Sequence, residues 1–191
     1  IQVNTQTDLT FANALRSILR QDPNIIMVGE VRDEDTAKIS VNAALTGHLL
    51  LSTIHTNDAA TTLPRLLEMG AKPFLIASTV NVAIAQRLVR KICEHCKVEW
   101  RPTINDIQAM GEALADKFKG EIPAFYRGQG CDACGHSGYY GRIGVYEVLE
   151  VTAAIREAVM KRLDADEIEQ IARHEGMTTM LDDGVEKAKQ G

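Results

Sequence analysis

The sequence lacks the features typical of membrane proteins and of secreted proteins. No apolar run approaches the roughly 20 residues that a membrane helix needs, and no signal peptide is recognisable. The formal net charge of -5 means that the chain has no overall excess of positive charge, which argues against a general affinity for nucleic acid or anionic lipid. Aromatic residues make up only 5% of the chain, but 45% hydrophobic and 25% charged residues are typical of a soluble globular protein.

An initial methionine is also missing. The chain begins at Ile1, within the segment "IQVN", which has the composition of a strand. We therefore expect a piece of a longer protein. Its 191 residues suffice for one sizeable domain, or for one domain with a small appendage.

Apolar spacing predicts alternating helices and strands in the first part of the chain. A helical pattern that Thr10 could cap ends at Asp22-Pro23, and the continuous apolar run 25–28 predicts a fully buried strand. A second helix follows, with acidic residues in its first turn and Gly47 just past its end. Residues 48–56 repeat the buried-strand pattern. This order predicts an α/β fold with a parallel sheet and crossover helices.

Helical patterns return after the second predicted core strand. A long helix is expected over residues 73–92, after a shorter helical pattern that Pro64 should break or restart. Residues 142–151 predict a strand, and the tail from Thr152 predicts two or three amphipathic helices.

Polar residues follow both predicted core strands. Glu30 and Arg32 follow the first strand, and a run that includes His55 follows the second. Parallel sheets bind ligands at this edge, where nucleoside triphosphatases place an acidic residue near Mg²⁺. An acidic residue after a strand is more often a solvated loop group, so Glu30 depends on its neighbours for support. His48 and His55 flank one strand, and phosphate sensing or proton handling is about as plausible for them as a capping or core role.

All four cysteines fall in two C-x2-C pairs separated by 34 residues: Cys93, Cys96, Cys131 and Cys134. Four thiolates suit a closed tetrahedral zinc site without an open catalytic position. Disulfides and a thioredoxin-type redox role are less favoured, because nothing marks the chain as secreted and a redox motif would leave one pair unexplained. His95 and His136 could substitute as ligands. The spacer is too long for a compact ribbon, so residues 105–118 are expected to form a helix between the pairs.

Several segments together resemble a known family. They include "LTFANALRSILRQDPNIIMVGEVRDEDTA", "AALTGHLLLSTIHTNDA", "AQRLVRKIC", the paired CxxC and "GYYGRIGVYEVLEV". These resemble, in order and over essentially the whole chain, the C-terminal ATPase domain of the type II secretion and type IV pilus assembly ATPases. The resemblance implies a RecA-like P-loop fold, ATP with Mg²⁺, and a homo-hexameric cytoplasmic motor that lies peripherally on the inner membrane and contacts a platform protein there.

The resemblance also implies roles for single residues. Residues 9–22 resemble the family's Asp box, 25–33 its Walker B segment with Gly29 and Glu30, and 46–55 its His box. The implied catalytic residues are Glu30, His48 and His55. Three arginines are also implied, with Arg142 near the nucleotide and Arg87 and Arg90 between subunits. The tetracysteine element is similar to the zinc subdomain of export and pilus-extension ATPases, which favours assembly over retraction.

One expected motif is missing. The 191 residues contain no G-x-x-x-x-G-K-[ST], the loop whose backbone amides and lysine cradle phosphates. We therefore expect residues 1–92 to be part of a RecA-like core, 93–141 a zinc subdomain and 142–191 a closing strand with C-terminal helices. The isolated chain is expected to be inactive as an ATPase.

Two other functions remain open at this stage. The chain could be a zinc-stabilised protein-interaction module without a catalytic role. A zinc-ribbon nucleic-acid binder is a weaker alternative, since the chain is acidic and has no basic patch with interleaved aromatic residues.

Overall fold

The computed structural model describes residues 11–118 and 122–191. These residues form two compact units, the first from 11–85 and 148–177 and the second from 86–118, 122–147 and 178–191. In the described part of the chain, no helix combines the length and apolar character needed to cross a membrane. The segment "IQVN" and the cap Thr10 lie outside the described residues.

The first unit contains most of the helices. Its elements are α1 (Phe11–Ile18), a 3-10 turn (Leu19–Gln21), β1 (Ile25–Val28), α2 (Glu34–Leu45), β2 (Leu49–Ser52), α3 (Thr62–Glu68), α4 (Pro73–Thr79), α7 (Ala153–Lys161) and α8 (Ala165–His174). The second unit contains β4 (Lys97–Trp100), α5 (Ile104–Met110), α6 (Glu112–Lys117), β5 (Phe125–Gly128), a 3-10 turn (Asp132–Cys134) and α9 (Met180–Gln190). Two long paired strands, β3 (Val82–Ile92) and β6 (Tyr139–Glu150), run through both units.

The predicted parallel pairing and crossover helix are confirmed. β1 pairs with β2 in parallel, with Ile25 opposite Leu49. Between them, α2 begins where the Asp33 side chain accepts a hydrogen bond from the Thr36 N–H at 2.7 Å. The predicted Gly47 follows the helix with φ 95°, a conformation that costs glycine little because it has no Cβ.

Full burial of β1 was a wrong expectation. Ile26 and Val28 are buried in a cluster with Leu15 and Ala43, whereas Ile25 is 61% and Met27 64% exposed. A continuous apolar run indicates a strand covered on both faces. Among the described residues, helices cover only one face of β1, and alternate side chains therefore remain exposed.

The long helix predicted over residues 73–92 is also wrong. Helix α4 ends at Thr79, and β3 begins at Val82. At the start of β3, Ala83 and Ala85 are buried while their neighbours are exposed, which is the alternation of a strand. These apolar residues fit both a helical and a strand spacing, and pairing with β6 selects the strand. The first cysteine pair therefore follows a strand.

The tail matches its prediction, whereas the helical patterns around Pro64 and in the insert differ from theirs. Strand β6 contains residues 142–150 of the strand predicted over 142–151, and α7, α8 and α9 are the amphipathic helices of the tail. Pro64 does not break α3, because it is the third residue, where a backbone N–H has no partner within the helix. The insert forms α5 and α6 instead of one helix, since Gly111 interrupts it with φ 132°.

The second unit has its own apolar cluster. It is formed by Ile107, Phe118, Phe125 and Val185, with Trp100 packed against it. The compact units divide the chain differently from the predicted segments, because β3 and β6 are paired and α9 contacts β5. The three-part functional division stays a prediction.

Asp182 provides a test of how α9 is held in the second unit. It closes a capping box with Thr179 and forms an ion pair with Lys117. The Lys117 ammonium, helped by the Thr179 N–H, lowers the pKa of Asp182 from 3.8 to about 2. Because this pKa is depressed on folding, the stabilisation is present above pH about 4 and is lost as pH falls toward 2.

We expect Asp182→Asn to lower the free energy of unfolding of the second unit by about 1 kcal/mol at neutral pH. Urea denaturation followed by fluorescence of Trp100, the chain's one tryptophan, measures this unit. The difference from wild type should shrink as the pH is lowered. Glu186→Gln, an equal charge change on α9, is the control. Equal losses in both variants at every pH would contradict the assignment to the cap and ion pair.

Candidate functional site

Glu30 and His55 meet at the carboxyl edge of the β1–β2 pair. The strands are parallel, so the residues that follow them emerge at one edge. Thr53 Oγ1 donates to the Gly29 carbonyl at 2.7 Å, and the Val31 N–H donates to the Thr53 carbonyl at 2.8 Å. These bonds extend the pairing beyond the strands, and they fix the backbone on either side of Glu30.

The Glu30 carboxylate has two cationic or polar neighbours. Arg32 Nε lies 2.5 Å and His55 Nε2 lies 3.1 Å from the same oxygen, Oε2. Hydrogen bonding from Arg32, followed by that from His55, lowers the pKa of Glu30 against the opposing effect of burial. Glu30 is therefore an ionised acceptor at neutral pH, able to bind a cation or to orient a water molecule.

His48 lies elsewhere. It precedes β2, whereas His55 lies beyond the strand's carboxyl end, so the structure does not bring the two predicted histidines together. His48 Nδ1 lies 3.0 Å from Thr46 Oγ1 and 3.2 Å from the Ala43 carbonyl oxygen. These contacts bind it to the end of α2, and its catalytic role stays a prediction.

The three predicted arginines belong to the second unit. Arg142 is exposed on β6, and Arg87 and Arg90 are exposed on β3. The Arg90 guanidinium lies over the Tyr139 ring, 3.9 Å from its centroid, in a cation–π contact. Roles near nucleotide or between subunits remain predictions for all three.

The four cysteines form one cluster with metal-site dimensions. Their sulfur atoms all lie within 4.8 Å of one another. The Cys93–Cys131 sulfurs are 3.9 Å apart, those of Cys96 and Cys134 4.0 Å, and those of Cys131 and Cys134 3.8 Å. A tetrahedral site with metal–sulfur bonds of about 2.3 Å requires sulfurs about 3.8 Å apart. The donor set therefore fits a closed four-thiolate site, in which Cys93 is buried and the other three cysteines are partly buried.

Backbone amides support this cluster. The N–H groups of Cys131 and Gly138 donate to Cys134 Sγ, each at 3.3 Å, and the first of these contacts is the main reason that the pKa of Cys134 falls to about 6. Burial raises the pKa of the Cys96 thiol to about 11. Gly138 has φ 76°, and a Cβ there would lie 2.7 Å from the Gly128 carbonyl oxygen, so the backbone before and after the second cysteine turn approaches as closely as only glycine permits.

A known protein family matches the chain along its full length. The family profile described as "Type II/IV secretion system protein" matches residues 1–191. The chain belongs to this family. Among its relatives, the type IV pilus assembly ATPase PilB of Thermus thermophilus is 50% identical over 190 residues, which are 100% of this chain and 21% of the relative. The type II secretion system ATPase E of Vibrio cholerae is 44% identical over 192 residues, covering 100% of this chain and 37% of the relative.

Solved structures place the secretion-family chain in a fold class. The pilus retraction motor PilT with bound ADP aligns with a TM-score of 0.63 at 26% identity, covering 95% of this chain and 40% of that one. The ATPase DotB of Legionella pneumophila aligns with a TM-score of 0.60 at 25% identity, covering 95% and 39%. The fold is therefore the RecA-like P-loop class, as predicted. This family member spans about a fifth to two fifths of the length of these proteins.

Sequence reasoning assigned no role to one residue of the Glu30 site. Arg32 was recognisable as a polar residue after a strand, but its contact with Glu30 depends on the conformation of the loop. The spacing of two residues between Glu30 and Arg32 was the only feature of the sequence that could have indicated this contact. In this secretion-family chain, the Arg32 guanidinium contacts the Glu30 carboxylate directly.

Proposed function

We propose that the chain is part of a hexameric, cytoplasmic motor ATPase that couples ATP hydrolysis to type IV pilus assembly or type II secretion. The observation that carries this proposal is the contact between Glu30 and His55 at the carboxyl ends of two parallel strands. Family membership supports the motor role. The tetracysteine cluster supports assembly over retraction, and a peripheral position at the inner membrane follows from the platform partner that such a motor needs.

In the proposed mechanism, Glu30 orients and polarises the attacking water. The Glu30 carboxylate is a hard oxygen ligand and suits Mg²⁺, directly or through water, beside Gly29. When bound, Mg²⁺ would neutralise charge on the phosphates. His55, which follows the neighbouring strand, lies 3.1 Å from the Glu30 oxygen, and this contact would couple movement of the two side chains. Through this contact His55 would report the state of the γ-phosphate to the subunit.

The phosphate loop would come from another part of the longer protein. Its backbone amides and lysine supply most of the electrostatic stabilisation of a transferred phosphoryl group. The 191 residues contain no such sequence. Arg142 would approach the nucleotide, and Arg87 and Arg90 would contact a neighbouring subunit.

We therefore expect the 191-residue chain alone to show no Mg²⁺-dependent ATP hydrolysis above background. A coupled assay for released phosphate measures this, with the longer protein as the positive control. If the isolated chain hydrolyses ATP and Glu30→Gln abolishes that activity, hydrolysis does not need a phosphate loop from another part of the longer protein. This result would contradict the expectation. Failure of the longer protein to hydrolyse ATP would contradict the motor function itself.

The four cysteines would hold a structural Zn²⁺. The sulfur separations and amide contacts support a closed site in which the metal has no catalytic role. The zinc element would engage a neighbouring subunit or the platform protein.

The closed cluster also supports a second candidate, a zinc-stabilised interaction module without catalysis. This candidate predicts that replacing Glu30 leaves hydrolysis by the longer protein intact, while replacing Cys93 abolishes partner binding. Measuring both properties in both variants distinguishes the two functions.

A further inference from the structure

The second unit contains a cleft of about 600 Å³, to which Arg90 is the one proposed motor residue that contributes. It is lined by β3, the first cysteine turn, β6 and α9. Four basic side chains line it: Arg90, Lys91, Lys97 and Lys187. We call this the cationic cleft. Its volume falls within the roughly 300–1,000 Å³ of clefts that enclose a ligand.

Two of the cations are held in fixed positions. Lys97 Nζ donates to the Gln190 carbonyl at 2.8 Å. Lys187 Nζ donates to the Gly144 carbonyl at 2.8 Å and lies 2.5 Å from Asp183 Oδ2. A preorganised cation costs less side-chain entropy on binding an anion than a mobile surface lysine does.

Apolar side chains lie among these charges. Val89, Tyr139 and Ile143 line the cationic cleft and are 41%, 36% and 38% exposed. Arg90 covers the face of the Tyr139 ring at 3.9 Å. The cleft therefore offers both apolar area and positive charge to a ligand.

The charge of the cationic cleft is opposite to that of the chain. The chain has a formal net charge of -5, yet the cleft has four cations against three carboxylates: Glu94, the terminal carboxylate of Gly191 in the 191-residue chain, and Asp183 beside Lys187. Glu94 is shared, since Lys91 Nζ lies 3.3 Å and Lys97 Nζ 3.9 Å from its two oxygens. Positive charge therefore exceeds negative charge in the cleft, and complementary charge selects an acidic partner.

We infer that the cationic cleft binds an acidic, amphipathic peptide segment of a partner protein. Its carboxylates would pair with Arg90 and Lys91 at the exposed side, while its apolar residues pack on Val89 and Ile143. The concave shape favours a peptide over an anionic bilayer, whose surface is too broad to enter the cleft. This inference does not depend on the ATPase proposal.

The test uses a fluorescein-labelled peptide of alternating glutamate and leucine, titrated with the purified chain and followed by anisotropy. We expect saturable binding that weakens when ionic strength rises from about 0.05 M to about 0.3 M. Lys91→Glu should weaken it about tenfold, because it places a negative charge beside Glu94 at the rim. Should Lys91→Glu prove misfolded by circular dichroism, Lys91→Gln removes the charge without reversing it.

Arg101→Glu is the matched control. Arg101 also belongs to the second unit and pairs with a glutamate, Glu99, but does not line the cleft. It should change affinity by less than about twofold. Equal losses in the Lys91 and Arg101 variants would overturn the proposal, as would equal affinity for a lysine–leucine peptide. Binding to phosphatidylglycerol vesicles without binding to the acidic peptide would also overturn it.

Discussion

Glu30→Gln is expected to lower the kcat of ATP hydrolysis by the longer motor protein by about 10²- to 10⁴-fold. The substitution keeps the size of the side chain and its capacity to accept a hydrogen bond from Arg32. It removes the charge that polarises water and attracts Mg²⁺. Since that charge acts mainly in the transition state, KM for ATP should change far less than kcat.

Glu34→Gln is the control for Glu30→Gln. Glu34 lies in the first turn of α2, four residues away, and pairs with Lys38 on the exposed helix surface. It should retain wild-type kcat. Unchanged hydrolysis in Glu30→Gln, with loss of partner binding in a Cys93 variant, would favour the non-catalytic interaction module instead.

The Glu30 site was predictable only in part. Alternation of helices and strands indicated that residues after β1 and β2 share an edge, and Glu30 and His55 do lie 3.1 Å apart there. His48 carried the same histidine signal but lies before β2, where Thr46 and Ala43 contact it. Residue type could not separate the two histidines, because only the direction of the strand decides which one reaches the ligand-binding edge.

The errors in the fold have a related cause. Residues 82–92 fit both a helical and a strand spacing, and long-range pairing with β6 selects the strand. The exposure of Ile25 and Met27 could not be predicted from their apolar character. An apolar pattern indicates that a strand is suited to burial, but it does not show which elements cover the strand. Local signals were more dependable where the chain contacts itself nearby, as at the Asp33 cap and the cysteine turns.

The cysteine cluster should be the most sensitive point of the second unit. Cys96→Ser replaces one of four clustered sulfur ligands with a hydroxyl that stays protonated at neutral pH. Structural zinc contributes an apparent binding free energy of about 10–16 kcal/mol in zinc-finger peptides, and folding of such elements depends on it. We therefore expect stoichiometric zinc in the wild-type chain and its loss in the variant. Amide-exchange protection in residues 93–138 should then fall by at least about 10²-fold.

The position of this loss is as informative as its size. The first unit has its own cluster of Leu15, Ile26, Val28 and Ala43, none of which contributes to the metal site. Amides of β1, α2 and β2 should therefore keep their protection in Cys96→Ser. His95→Ala is the control, because His95 lies between Cys93 and Cys96 in the sequence yet is not one of the four clustered donors. A zinc-free chain that retains native protection around Cys93 and Cys131 would show that hydrogen bonds and packing, and not a metal, hold the two turns together.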